Sequence, residues 1–219
     1  MNIQNYNALK NYAFECLNNN KFECSHVERV LNYGLILLKY EKQANRDIVI
    51  AACLLHDIGK PYAFDMPHSP KGAIMAKDFL NKMGFDSAFV NGVSDCIATH
   101  SFRKKNPPES LEAKILFDAD KLDMYGSMGI VRTIYYMQNE AIYNIEQGLP
   151  IKPQKDNLQS FYSEYYNKIK AIPQRLYTNK AKDIAKKLSK NMEEFMDNLV
   201  EETEYNYKKS KSIFDDFIK

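Results

Sequence analysis

The chain has 219 residues, of which 45% are hydrophobic and 26% charged, and this ordinary globular composition excludes wholesale disorder. Its 30 basic and 28 acidic residues leave a formal net charge of +2, so overall charge gives no reason to expect nucleic-acid or membrane binding. Because the sequence shows neither a signal-peptide pattern nor a run of about 18 uncharged apolar residues, we expect a cytoplasmic protein.

Apolar residues recur at helical spacing along the chain, and strict apolar-polar alternation is hard to find, which predicts an all-α fold. The pattern predicts a first helix over about residues 3–17 and a second that begins at His26 behind a capping-box sequence. A third, almost wholly apolar helix is predicted to be capped by Asp47 and to close with His56 and Asp57.

The next helices are bounded by turn and capping residues. Ser69 and the proline after it predict a helix that starts just beyond His68, and the following helix ends near His100. Ser110 is predicted to cap the helix that carries three aspartates. All four histidines thus fall at predicted helix ends, where loops can converge on one cleft: His26, His56, His68 and His100.

A change of pattern after the Gly-Leu-Pro sequence at 148–150 sets the expected domain organisation. We predict a helical core over residues 1–150 and a helical extension over 151–219 that packs on the same domain. The long apolar seam of the last predicted helix, about 179–208, suits packing on its own domain or on a second subunit. Monomer and homodimer both remain open.

Asp57 follows a run of apolar residues, so its position predicts a partner for a buried charge. Burying an ionised carboxylate costs several kcal/mol unless it is paired or binds a cation. Imidazole and carboxylate ligands suit Mn, Fe, Co, Ni or Zn, and the four scattered cysteines do not suggest a structural zinc site. The sequence therefore predicts a divalent metal site and leaves the ion open, Mg included.

The spacing of these residues resembles the H…HD…D signature of the HD-domain superfamily. It consists of His26 with Arg29 one turn later, the sequence Leu-Leu-His-Asp-Ile-Gly-Lys that contains His56 and Asp57, and Ala-Asp-Lys-Leu at Asp120. The resemblance implies a helical bundle that hydrolyses phosphate esters with these ligands: His26, His56, Asp57 and Asp120. Residues 111–133 are similar to the YedJ-like group of HD hydrolases.

Other polar residues near the predicted cleft receive roles from position and charge. Asp118, on another face of the Asp120 helix, is a candidate to support the ligands. Arg29 could orient a ligand carboxylate or touch phosphate, with a surface salt bridge as the alternative. Lys60 is the predicted catalytic cation and the first choice among the cations near the cleft. The predicted substrate-binding cations are Arg103 and Lys104, with Lys71 further along.

His68 and His100 are similar to the extra ligands of dinuclear HD enzymes, such as HD-GYP phosphodiesterases and YqeK-like hydrolases. They are candidates for a second metal or for contact with substrate phosphate, which leaves one or two ions open. The expected substrate is a nucleotide or a related small phosphate monoester or diester, attacked by metal-activated water. The alternative is a catalytically silent nucleotide-binding regulatory module.

Overall fold

The computed structural model describes residues 1–101, 106–137 and 161–218, and all regular elements within them are helical. The all-α prediction is therefore confirmed. Ten α-helices lie in the described ranges: α1 Ile3–Cys16, α2 Lys21–Leu38, α3 Arg46–Leu55, α4 His68–Lys82, α5 Ser87–Thr99, α6 Leu111–Asp123, α7 Gly126–Tyr136, α8 Phe161–Asn167, α9 Ile172–Arg175 and α10 Asn179–Phe217. Short 3-10 turns cover Lys60–Tyr62 and Ile169–Ala171.

These helices group into two compact units. The first contains residues 1–123 together with 176–182, and the second contains 124–175 together with 183–219. The predicted boundary near residue 150 lies outside the described residues.

The core of the first unit forms around α3. Every residue from 51 to 59 is buried. Residues 51–55 are apolar on all faces, and α1, α2, α5 and α6 pack around α3. A Cβ on Gly34 of α2 would lie 2.8 Å from Sγ of Cys53, so the missing side chain lets α2 approach α3 closely. This close packing brings His26 of α2 and His56, which caps the end of α3, to the same part of the interior.

The prediction that His26 begins α2 is wrong, because the helix starts five residues earlier. Asn20 is the N-cap, and its side chain accepts hydrogen bonds from the backbone amides of Phe22 and Glu23. Ser25 lies inside the helix, where its hydroxyl donates to the carbonyl of Phe22. The chain offers two capping signals here, and the earlier one is used.

The other helix starts show smaller differences. Asn45, and not Asp47, caps α3, and α4 already begins at His68. Ser110 accepts a hydrogen bond from the amide of Ala113, as a cap of α6 should. His68 therefore occupies the first turn of α4.

The second unit contains α7, α8, α9 and most of α10. Its α7 starts at Gly126, which has a φ of +68° and lies where a Cβ would be 3.0 Å from Cβ of Leu188. The hydroxyls of Tyr125 and Ser189 form a hydrogen bond of 2.9 Å within this unit. In the described parts of the chain, none of the helices is both long and apolar enough to span a membrane.

Candidate metal centre

A cluster of imidazole and carboxylate groups lies inside the first unit, where α2, α3 and α6 meet. Nε2 of His26 lies 3.2 Å from Nε2 of His56 and 3.2 Å from Oδ2 of Asp57. It also lies 3.4 Å from Oδ1 of Asp120. At most 5% of each of these residues is exposed. The four predicted ligands are therefore adjacent in the interior.

Two of the histidines are oriented by their own helices. Nδ1 of His56 lies 2.9 Å from the carbonyl oxygen of Cys53, and Nδ1 of His100 lies 2.6 Å from that of Ile97. Since a carbonyl only accepts, each Nδ1 carries a proton, and in the neutral tautomer the lone pair is on Nε2. Both helix ends thus present an imidazole nitrogen suited to a metal.

His26 is oriented by a carboxylate that sequence reasoning did not single out. Its Nδ1 lies 2.8 Å from Oδ2 of Asp123, which fixes Nε2 as the nitrogen that faces the other ligands. Arg29 holds the same carboxylate with Nε 2.6 Å from Oδ1 and an Nη 3.1 Å from Oδ2. Arg29 also donates to the hydroxyl of Ser25. Carboxylate-histidine support of this kind orients metal ligands and raises their basicity.

Asp57 faces imidazole groups with both of its oxygens. Oδ2 lies 3.2 Å from Nε2 of His26 and 3.1 Å from Nε2 of His56. Oδ1 lies 3.8 Å from Nε2 of His68 and 3.6 Å from Nε2 of His100. Each set of three residues has its ligand atoms within 4.8 Å of one another, so each can hold a metal ion. The two sets share only Asp57.

Two lysines bring positive charge to the carboxylates. Nζ of Lys60 lies 2.6 Å from Oδ2 of Asp57 and 3.1 Å from a carboxylate oxygen of Glu23. The ammonium group of Lys121 contacts Asp120 and is buried, with 3% of the residue exposed. A buried charge requires such a partner. The sequence had not predicted this role for Lys121.

These contacts set the protonation of the cluster. Burial would lower the pKa of His26, but its contacts with three carboxylates prevail and raise the pKa to about 9. Burial would raise the pKa of Asp57, but His56 and Lys60 hold it well below the usual range. The pKa of Asp120 is also held low against burial, by its neighbouring lysine and by His26. The carboxylates are thus ionised and ready to bind a cation.

Two of the histidines, His56 and His68, favour the neutral form that metals bind. Burial lowers the pKa of His68 to about 4, although the carboxylate of Asp57 acts in the opposite direction. Burial likewise lowers the pKa of His56. Since metal ions bind the unprotonated imidazole, these residues fit the donor set of a Mn, Fe, Co, Ni or Zn site.

Asp118 does not support the ligands, which corrects that prediction. Its carboxylate accepts hydrogen bonds from the amides of Tyr177 and Thr178, at 2.9 and 2.7 Å, and from the Thr178 hydroxyl at 2.8 Å. Asp118 therefore anchors the segment before α10. The supporting role belongs to Asp123, five residues later on α6.

The remaining predicted residues fall in three places. The structure brings Lys60, Arg29, His68 and His100 to the cluster. Nζ of Lys71 lies 3.9 Å from the carboxylate of Asp65. Arg103 and Lys104 lie outside the described residues.

The cluster falls within a recognised domain family. Residues 24–125 match the family model for the HD domain, and this range contains every predicted metal ligand. This segment is therefore similar to HD domains. The predicted H…HD…D resemblance is confirmed at this level.

Three similar proteins extend the comparison beyond the HD segment. YpgQ of Bacillus subtilis, an uncharacterized protein, is 26% identical over 178 residues, which cover 78% of this chain and 79% of YpgQ. A Lactobacillus plantarum crystal structure has a TM-score of 0.74 at 26% identity and covers 94% of this chain and 99% of that one. A predicted HD superfamily hydrolase from an uncultured Thermotogales bacterium has a TM-score of 0.62 at 26% identity, with 91% and 97% covered.

A crystal structure of YpgQ in complex with ADP has the same fold. Its TM-score is 0.69 at 20% identity, and the match covers 89% of this chain and 95% of YpgQ. The fold likeness thus extends over most of the chain and includes a nucleotide complex of a relative.

Proposed function

We propose that this protein is a metal-dependent phosphohydrolase that acts on a nucleotide or a related small phosphate ester. The observation that carries the proposal is the Asp57 carboxylate, which is fully enclosed and has imidazole nitrogens 3.1 to 3.8 Å from its two oxygens. The HD domain and the fold of a predicted HD superfamily hydrolase support hydrolysis as the activity.

The first ion in this proposal is held by His26, His56, Asp57 and Asp120. A divalent cation in such a site supplies a Lewis acid that activates water and polarises a phosphoryl oxygen. Asp57 orients the attacking water, and Asp123 with Arg29 keeps Nε2 of His26 aimed at the ion. Arg29 is therefore a positioning residue that acts through Asp123.

We further assign His68, His100 and Oδ1 of Asp57 to a second cation, in preference to direct contact with substrate phosphate. Their ligand atoms meet the same distance criterion as those of the first set. Two ions that share a carboxylate stabilise the attacking and leaving oxygens of an in-line displacement.

Lys60 is the proposed catalytic cation. Its ammonium group lies 2.6 Å from Asp57, so it is within reach of a phosphoryl group held beside that carboxylate. A fixed positive charge there offsets the charge that develops on the equatorial oxygens. Lys71, Arg103 and Lys104 are proposed to contact more distant parts of the substrate.

The ADP complex of YpgQ supports a nucleotide as the ligand class, because that protein is also a sequence relative of this chain. Membership of the YedJ-like group is part of the same proposal and rests on the sequence of residues 111–133.

The proposal is tested by phosphate release over a panel of nucleotides and sugar phosphates, with Mn²⁺, Fe²⁺, Co²⁺, Ni²⁺, Zn²⁺ or Mg²⁺ added. Asp57→Ala should abolish turnover and metal binding and keep the helical circular dichroism signal. The matched control is Asp95→Ala, which removes an exposed carboxylate from α5 and should keep full turnover. Metal binding without turnover on any phosphate would favour the silent regulatory module.

A further inference from the structure

Each histidine of the proposed second cation set is followed directly by a serine. Ser69 lies in the first turn of α4, and Ser101 lies just beyond the end of α5. The two hydroxyls are hydrogen-bonded to each other across 32 residues of sequence. Ser69 is fully buried, so the loss of its partner would leave a polar group without compensation in the interior.

The start of α4 also packs closely against the turn that contains His56, Asp57 and Gly59. A Cβ on Gly59 would lie 2.2 Å from the backbone oxygen of His68 and 2.5 Å from the backbone nitrogen of Gly72. These are backbone atoms, so they cannot move without moving α4. The backbone φ of Gly59 is −77°, which other residues adopt readily, so space and not conformation requires glycine.

Two fixed points therefore determine where His68 lies. Gly59 sets the distance between α4 and the turn that contains His56 and Asp57. The serine pair joins the start of α4 to the end of α5. The rings of His68 and His100 face each other edge to face with centroids 5.2 Å apart. A serine pair directly beside both histidines constrains the separation of their backbones.

We propose that Ser69 and Ser101 form a latch, and that this latch positions His68 and His100 to bind the second cation. Both serines are positioning residues, since they act through the histidines. The latch rests on the proposed function, because the second cation belongs to that proposal. Residues that orient metal ligands typically change metal affinity by about 10- to 100-fold when they are replaced.

The test is a calorimetric titration of the metal-free full-length protein with Mn²⁺, which counts the ions and gives an affinity for each. The wild type should bind two ions, and His68→Ala should bind one. Ser69→Ala and Ser101→Ala should each weaken only the second ion, by about 10- to 100-fold. The double variant should be no weaker than the single variants, because one shared hydrogen bond is lost in all three.

Ser94→Ala is the matched control. The Ser94 hydroxyl donates to the carbonyl of Ala73 at 3.3 Å, so it also joins α5 to α4, at a point away from the histidines. If the latch only held the two helices together, this variant would weaken the second ion as well. We expect it to leave both affinities unchanged.

Three results would overturn the latch. Serine variants that bind both ions as the wild type does would remove its role and leave the phosphohydrolase proposal intact. An equal loss in Ser94→Ala would reduce the pair to helix packing. If the wild type bound only one ion, both the second cation and the latch would be ruled out. Phosphate release that depends on Asp57 would still support the phosphohydrolase proposal.

Discussion

The two sides of the Asp57 carboxylate differ in how firmly their histidines are held. On the Oδ2 side, the side chains of His26 and His56 are fully buried and lie 3.2 and 3.1 Å from the oxygen. On the Oδ1 side, the side chain of His68 is 30% exposed, and the distances are 3.8 Å for His68 and 3.6 Å for His100.

The supporting contacts differ in the same direction. The α2–α3 side has a carboxylate and a guanidinium behind His26 and lies within the core. The α4–α5 side depends on the first turn of one helix and on the end of another. Pre-organised ligands bind an ion with less loss of conformational freedom. We therefore expect a tight ion on the first side and a weaker ion on the second.

Removing one histidine from each side gives the largest expected effect. His56→Ala should lose the tight ion and reduce phosphate release by about 10³-fold or more, beyond the loss typical of a supporting residue. His100→Ala should keep the tight ion and lose only the weaker one. Mn²⁺ titration with circular dichroism as a folding control measures both. Equal losses in the two variants would contradict the difference between the sides.

The pH dependence of the tight ion should be nearly as large. His26 has a pKa of about 9, so at neutral pH the metal-free protein holds a proton there that the ion must displace. The apparent affinity should therefore rise about tenfold per pH unit from pH 7 to 9 and then level off. The carboxylates that face His26, which are Asp57, Asp120 and Asp123, have lowered pKa values and stay ionised over this range.

Calorimetry in buffers of different ionisation enthalpy measures this proton release. About one proton should leave per tight ion at pH 7.5. The weaker ion should release fewer protons from His68, whose pKa of about 4 leaves it neutral. If the number of protons released did not change with the amount of tight ion bound, His26 would not be a ligand of that ion.

Asp123→Asn tests the support behind His26. The amide is a weaker acceptor for the Nδ1 proton and cannot pair with Arg29, so the tight ion should lose about 10- to 100-fold in affinity. Asp118→Asn is the control on the same helix. It should leave metal affinity unchanged and lower the free energy of unfolding by about 1–3 kcal/mol, because its contacts are to residues 177 and 178.

Gly59→Ala should have the smallest effect on the tight ion, because the added group meets the α4–α5 side. The added methyl group meets the backbone of α4, and such overpacking typically costs about 1–3 kcal/mol in unfolding free energy. We expect the weaker ion to be lost before the tight one. Urea unfolding and Mn²⁺ titration report the two effects separately. An unchanged affinity for the second ion would show that the position of His68 does not depend on the close approach of α4 to Gly59.

Much of the cluster could be predicted because its residues stand out in the sequence. An ionised aspartate that follows a run of apolar residues needs a partner when it is buried. Asp57 is such a residue, and it lies beside His56 just after the end of α3. The place of Asp123 could not be predicted in the same way. An acid one turn after Asp120 looks like any helical aspartate until the position of α2 against α6 is known.

The wrong predictions have the same origin in tertiary packing. Asp118 and Asp123 lie on one helix, and the distant segments that pack beside that helix decide their roles. Residues 177 and 178 donate to Asp118, and α2 brings His26 to Asp123. The start of α2 was misplaced because Ser25 and Asn20 are both good caps, and local sequence does not rank them. Local rules identify the residue types, and long-range contacts assign the roles.

The contact of Asp118 with residues 177 and 178 bears on how the chain can be shortened. A gene fragment that stops at residue 150 would keep every proposed metal ligand and delete all three hydrogen-bond donors to a fully buried carboxylate. That carboxylate lies two residues before Asp120, so the loss of its partners would destabilise the helix that carries a ligand. A fragment intended to retain the first unit must therefore include the residues up to 182.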